Sequence, residues 1–441
     1  MSTQTFATRH SATVLFHHVA AGVAVVVAVA MVSLACDDSS AIFIDAGPAD
    51  LVLPRDLPRP VDAYVNPCAP RPPPTVTGTV FAPNGVDPVA GASIGVPLAL
   101  SALPPQVRCE TCAIVGKFTA QTYAEPDGTF KLEGVPNDGK PFRLAIQKGY
   151  FRRVIEVKID ACGSLALTAA QTRLPGKSKQ YGPYDTVPKI AVVTGAWDKL
   201  EKVLDKLGVE EKKIFNGRDL ATGPESMQAL LQSGALLKSH HMLFIDCGTR
   251  FEGLVTEPGP ARNNLRAYVK AGGRLFVTDY SYDFVEQAFP EFIDFQGSHD
   301  GAPWETPEKH NAAEVGKEDL VIQADVHDAD LKAWLGLPAI GALLPNGLVQ
   351  IVGFQTAWAV QRGTNAAAKV WVSGHVTGIG VSLDPARPLT TSWDFVDHDK
   401  TGCGRIIFSS YHTHGDQSTL LPQERVLEYL MLEIGGCPRV K

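Results

Sequence analysis

From residue 187 onward, short apolar runs alternate with amphipathic segments, and the runs are too apolar for a sheet wetted on one face. Lys189-Ile190-Ala191-Val192-Val193-Thr194-Gly195, Met242-Leu243-Phe244-Ile245-Asp246 and Arg274-Leu275-Phe276-Val277-Thr278-Asp279 all lack polar alternation. A parallel sheet covered by helices on both faces requires strands of this kind. Between them the spacing predicts helices. Leu200, Val203, Leu204 and Leu207 share one face of a helix over 197–207. Others are expected over 225–231 and 263–270, the last ended by a glycine cap at Gly272-Gly273. Strands alternating with helices make 187–437 an α/β doubly wound domain. A β-rich insertion interrupts it at about 296–399. A closing helix is expected over 422–434, with Val426, Leu427, Leu430, Met431 and Ile434 turned inward.

Ahead of residue 176 the period is two. Val76-Thr77-Gly78-Thr79-Val80-Phe81 reads as a strand. Thr122-Tyr123-Ala124 and Thr129-Phe130-Lys131-Leu132 flank a hairpin signal at Asp127-Gly128. Phe142-Arg143-Leu144-Ala145-Ile146-Gln147 and Arg153-Val154-Ile155-Glu156-Val157 complete a small all-β sandwich over 75–175. A linker is expected near Gly176-Lys177-Ser178-Lys179-Gln180-Tyr181, where the period switches.

Residues 19–35 are an unbroken run of apolar and small residues, preceded by Arg9 and ended by Cys36. The run is shorter than the roughly 20 residues of a membrane span and has the parts of a secretory signal. Residues 1–35 are therefore read as a signal peptide. Residues 36–74, rich in proline, are read as an extended stalk, because proline removes a backbone donor and fixes φ. The whole chain has 40 basic and 47 acidic residues. Removing Arg9 with the signal leaves 39 against 47, a net of -8, which gives no electrostatic reason to bind nucleic acid.

Three resemblances follow. Val32-Ser33-Leu34-Ala35-Cys36 resembles a bacterial lipoprotein signal. That implies lipidation of Cys36, a lipid bilayer as partner, and a place in the cell envelope on the periplasmic or outer-surface side of a Gram-negative bacterium. The set Gly78, Val80, Gly91, Ala92, Asp127, Gly128, Phe130, Leu132 and Val135 resembles the carboxypeptidase regulatory-like domain. It implies a transthyretin-like β-sandwich without catalytic residues. Met242-Leu243-Phe244-Ile245-Asp246-Cys247-Gly248, the stretch from Leu265 through Val277, and Gly402-Cys403-Gly404-Arg405-Ile406-Ile407-Phe408 resemble the class I glutamine amidotransferase-like fold, especially its trehalose-utilisation-protein-like branch. A flavodoxin-like core is implied. Catalytic members carry a cysteine at the turn after a central strand, but this chain offers Asp279, Tyr280 and Ser281 there. Without a thiolate at that turn, the family's glutamine hydrolysis is not expected. Ser281 is expected to cap the helix that follows.

Outside lipidation, seven cysteines remain, and their compartment favours disulfides. A local Cys109–Cys112 bridge with Cys68–Cys162 is the favoured pairing, and other pairings among those four stay open. Cys247 is either bonded to Cys403 or Cys437, or a thiol nucleophile served by His412 or His414. Asp246, Cys247, Asp279, His412 and His414 are the candidate ligand-edge residues, since α/β folds gather ligands at the carboxyl edge of the sheet. His412-Thr413-His414 with Asp416, and Asp397-His398-Asp399, suggest metal ligands, but a third ligand at reliable spacing is absent. Neither a metal nor a cofactor is expected. Trp304, Trp334, Trp358, Trp371 and Trp393 suit packing on a sheet, with sugar stacking as the alternative. The expected function is non-catalytic, a lipid-anchored binding or scaffold protein with an envelope protein or a glycan as partner. A hydrolase using Cys247 or a metal near His412 and His414, and a carbohydrate-binding lipoprotein, are the alternatives.

Overall fold

The computed structural model describes residues 68, 70, 72–100, 102–109, 117–160, 162–219, 222–296, 306–354, 358–376, 386–396, 402–415 and 418–434. The apolar run, most of the proline-rich segment, Cys36, Cys112, Cys437, Trp304, Asp397-His398-Asp399 and Asp416 lie outside the described residues.

The N-terminal strands are β1 Thr75–Thr79, β2 Ser93–Pro97, β3 Phe118–Tyr123, β4 Thr129–Glu133, β5 Phe142–Lys148, β6 Phe151–Val157 and β7 Ser164–Ala166. They form one sheet ordered β4-β1-β7 and another ordered β3-β2-β5-β6. Alternation explains the faces: in β4, Phe130 and Leu132 are buried while Thr129, Lys131 and Glu133 are exposed. Cys68 and Cys162 form a disulfide that ties the entry to β1 to the turn before β7.

The second part contributes β8 Ile190–Thr194, β9 Lys213–Asn216, β10 Met242–Ile245 and β11 Arg274–Thr278. Next come β12 Ile293–Asp294, β13 Val315–Gly316, β14 Ile322–Val326, β15 Val349–Ile351, β16 Trp358–Ala359, β17 Gly363–Thr364 and β18 Lys369–Gly374. The last two are β19 Arg387–Phe395 and β20 Gly404–Ser409. One sheet of nine strands runs β15-β14-β18-β19-β20-β11-β10-β8-β9. Its β20-β11-β10-β8-β9 half is parallel. The other strands, all from the region expected as an insertion, join it antiparallel. The insertion thus widens the sheet as well as adding loops to its edge.

The apolar runs serve two cores. Along β10, Met242 and Phe244 face one cluster with Val76, Ile94, Leu200, Leu427 and Leu430, whereas Leu243 and Ile245 face another with Leu230, Leu265, Val269 and Phe284. This two-sided burial removes the polar alternation of a half-exposed strand. The helix Pro422–Ile434 buries Val426, Leu427, Leu430 and Met431 in the first cluster.

Contrary to the expected linker, residues 64–441 form one compact unit. The segment 176–186 is held by Gly176 N donating to Gln180 Oε1 at 2.6 Å and Ser178 N donating to Glu211 Oε2 at 2.7 Å. Thr186 exchanges two backbone hydrogen bonds with Arg152. Arg425 of the closing helix reaches Asp87 at 2.5 Å and Glu428 at 2.8 Å, and the Trp334 indole donates to Pro88 O at 2.8 Å.

The pairing of Cys109 is a correction. It bonds Cys403 at the start of β20 instead of Cys112. Its loop docks across the domain boundary: Val107 N donates to Lys238 O, and the Lys189 ammonium donates to Pro105 O, both at 3.0 Å. Cys403 is therefore unavailable to Cys247, which is free and buried. Sequence proximity favours a local CxxC bridge, but the docked loop brings Cys109 to a residue 294 positions away.

Candidate functional site

β8, β10 and β11 are parallel, so the turns after them open at one edge of the sheet, and the segment after β20 returns to the same edge. Asp198 follows β8, Asp246 and Cys247 follow β10, Asp279 follows β11, and His412 and Thr413 follow β20. All six are buried.

Asp198 is the hub. Its Oδ2 accepts from Cys247 N at 3.1 Å and from the Thr278 hydroxyl. Its Oδ1 accepts from Thr413 N at 2.5 Å and Thr413 Oγ1 at 2.9 Å. Drawing Asp198 inward explains why the helix expected from 197 begins only at Leu200. Leu200, Val203, Leu204 and Leu207 are nonetheless buried as the spacing predicts.

Asp279 occupies the turn that follows β11. Its φ is +44°, a left-handed conformation that costs a non-glycine residue roughly 1–2 kcal/mol. Asp279 Oδ2 lies 2.7 Å from His412 Nε2 and accepts from Cys247 Sγ at 3.7 Å, while Oδ1 accepts from Ala359 N at 2.8 Å. The other ring nitrogen, His412 Nδ1, is 3.1 Å from Gly353 O, an arrangement that makes Nδ1 the donor and leaves Nε2 facing Asp279. Gly353 and Ala359 belong to the widening region, so its backbone closes over the edge. A Cβ at residue 353 would collide with the His412 carbonyl oxygen, and the close approach therefore requires glycine.

Electrostatics follow from this burial. Desolvation pushes the Cys247 thiol well above its ordinary range, and Asp279 and Asp198 add to the effect. Burial pulls the His412 imidazole down, but Asp279 and Asp198 outweigh it and hold the group up at about 9. Desolvation raises Asp279, with His412 opposing. Asp246 is raised well up by burial, then by Asp198 and Glu201, with the Gly195 amide partly offsetting them.

The structure brings Cys247, Asp279 and His412 together, whereas the buried Asp246 carboxyl faces Asp198 and Glu201. His414 stands apart: its amide donates to Glu424 Oε1 at 3.0 Å, and residues 412–415 are not strand. Ser281 does not cap the following helix; its hydroxyl donates to Asp246 O at 2.8 Å. Among the described residues, Asp198, Cys247 and His412 each place a ligand-type atom within 4.8 Å of the other two. Sequence reasoning missed Asp198, Thr278 and Thr413. Asp198 carried a usable signal, a carboxylate just past the first parallel strand.

The described tryptophans of the expected insertion are buried. Trp334, Trp358 and Trp393 are among the largest fully buried side chains, and Trp371 is 6% exposed with the Lys369 ammonium 3.5 Å from its ring centroid.

No family model matches the chain, and no curated protein does. Among solved structures, a ThuA-like protein from Bacteroides uniformis aligns with 57% of this chain and 95% of its own, at 11% identity and a TM-score of 0.32. A cytoplasmic protein from Salmonella typhimurium aligns with 56% and 99%, at 12% identity and a TM-score of 0.31. PurLQS from Thermotoga maritima aligns with 55% and 97%, at 8% identity and a TM-score of 0.30. The chain is a mixed α/β multidomain protein whose neighbours among solved structures include ThuA-like proteins.

Proposed function

We propose that this protein is a lipid-anchored envelope protein that binds or scaffolds a partner and does not catalyse. Its N-terminal part is read as a carboxypeptidase regulatory-like sandwich, and its C-terminal part as a flavodoxin-like, amidotransferase-like domain that has lost its reaction. One observation carries the negative half of the reading. The turn that would hold a nucleophile holds Asp279, paired to His412, and both side chains are 0% exposed beneath Gly353 and Ala359. A substrate has no route to them without moving that backbone. Cys247 is no substitute: its thiol faces a carboxylate, its pKa is raised, and His412 Nε2 is directed at Asp279. A nucleophile needs the reverse, a base beside it and a lowered pKa.

The envelope half rests on the apolar run ending at Cys36, the proline-rich stalk and two disulfides. The partner is an envelope protein or a glycan. The test has two arms. Glutamine hydrolysis should stay at background, and turnover abolished by Cys247→Ala would overturn the non-catalytic reading. Cys36→Ser should move the protein from the membrane fraction to the soluble fraction. Membrane retention of that variant with its N-terminus intact would make residues 19–35 an anchor.

A further inference from the structure

We propose that Cys247, His412, Asp198 and Asp279 form a closed binding site for one zinc-class divalent cation. The donors come from four separate turns and converge because the parallel strands end at one edge. Asp198, Cys247 and His412 place donor atoms within 4.8 Å of one another. Asp279 Oδ2 completes the set, 3.7 Å from Cys247 Sγ and 2.7 Å from His412 Nε2. Zinc bonds of about 2.0 Å to nitrogen or oxygen and 2.3 Å to sulfur separate ligands by roughly 3.3–3.5 Å around a tetrahedron. The observed spacings straddle that value: binding closes the Cys247–Asp279 contact of 3.7 Å by about 0.2 Å and parts His412 from Asp279, now 2.7 Å apart, by about 0.6 Å.

The donor chemistry selects the metal. One thiolate, one imidazole and two carboxylates suit a borderline ion, whereas calcium and magnesium take oxygen ligands throughout. The surroundings are also those of a metal centre. His412 Nδ1 is anchored on the Gly353 carbonyl, which turns Nε2 to the site. Asp279 is held by Ala359 N, and Asp198 by Thr278 and Thr413. Asp198 already accepts four hydrogen bonds, so coordination must displace one of them; the Thr278 hydroxyl, held in place by Cys247 N at 2.9 Å, can turn its proton to Ile245 O at 3.5 Å. Four protein ligands leave no position for water, the pattern of a structural centre. The inference stands apart from the non-catalytic reading, since a closed centre can exist whether or not another surface is active.

The test uses the full chain in detergent, unfolded in denaturant with chelator and refolded with increasing Co²⁺, so that the metal reaches the site before it closes. One equivalent should produce a sulfur-to-cobalt charge-transfer band and the intense visible bands of a tetrahedral centre, and Zn²⁺ should displace them. Cys247→Ser should abolish the charge-transfer band. Thr413→Val, which keeps all four ligands, should retain the spectrum with roughly 10–100-fold weaker affinity. If Cys247→Ser does not fold, Asp279→Asn and chelator-dependent loss of thermal stability in the parent carry the test. A folded parent that binds no Co²⁺ overturns the proposal. A sulfur band that survives Cys247→Ser also overturns it, by assigning the metal to another cysteine.

Discussion

Arg425→Met should unfasten the N-terminal strands from the closing helix. Arg425 is the cation between Asp87 and Glu428, at 2.5 Å and 2.8 Å, and the two acidic side chains are 2% and 0% exposed. Methionine keeps the volume but removes the charge and leaves two carboxylates buried together. Breaking a buried ion pair from one side costs about 3–5 kcal/mol. In urea, with a slope near 3 kcal/mol per molar for a unit this large, the midpoint should fall by about 1 M or more. The loss has a pH signature. Burial, then Asp87, already push the Glu428 carboxyl well up, with Arg425 opposing. Removing Arg425 raises it further, and an acid whose folded pKa exceeds its unfolded value costs stability as pH rises between the two. The deficit should therefore be larger at pH 8 than at pH 5. Glu428→Gln in the same chain removes one uncompensated charge and should recover about half of the loss. A deficit under about 1 kcal/mol, or one equal at both pH values, would refute the argument that charge burial controls this interface.

Two further predictions test other parts. Cys403→Ser opens a bridge between residues 294 positions apart and should lower stability by about 2–5 kcal/mol. Cys112→Ser should change nothing, and a Cys109–Cys112 peptide in a non-reducing digest would overturn the pairing. Burial raises Asp283 to about 6, so folding favours its protonated form, and stability should fall by about 2–3 kcal/mol as pH rises from roughly 4 to 6. Asp283→Asn keeps an acceptor for Asn311 N and should flatten that part of the profile in urea titrations; an unchanged slope would assign the dependence elsewhere.

What the sequence determined by itself is local. The apolar runs at 190–194, 242–245 and 274–278 became strands buried on both faces, because no pattern with a wetted face was present. Leu200, Val203, Leu204 and Leu207 went inward because a helical period permits nothing else. Asp246, Cys247, Asp279 and His412 were legible as edge residues because each follows a strand in the parallel half of one sheet. Which of them touch was decided by tertiary structure. Strand order puts β11 between β10 and β20, so Asp279 stands between Cys247 and His412, and no spacing in the chain encodes that order. The same holds for Asp198, whose partners lie 49 to 215 residues away. It holds for the backbone of Gly353 and Ala359 that seals the edge, and for Cys109, which pairs across the fold. Side-chain periodicity is set by bond geometry within a few residues. Contacts between distant turns depend on how sheets and loops pack once water is excluded, and only the folded chain specifies them.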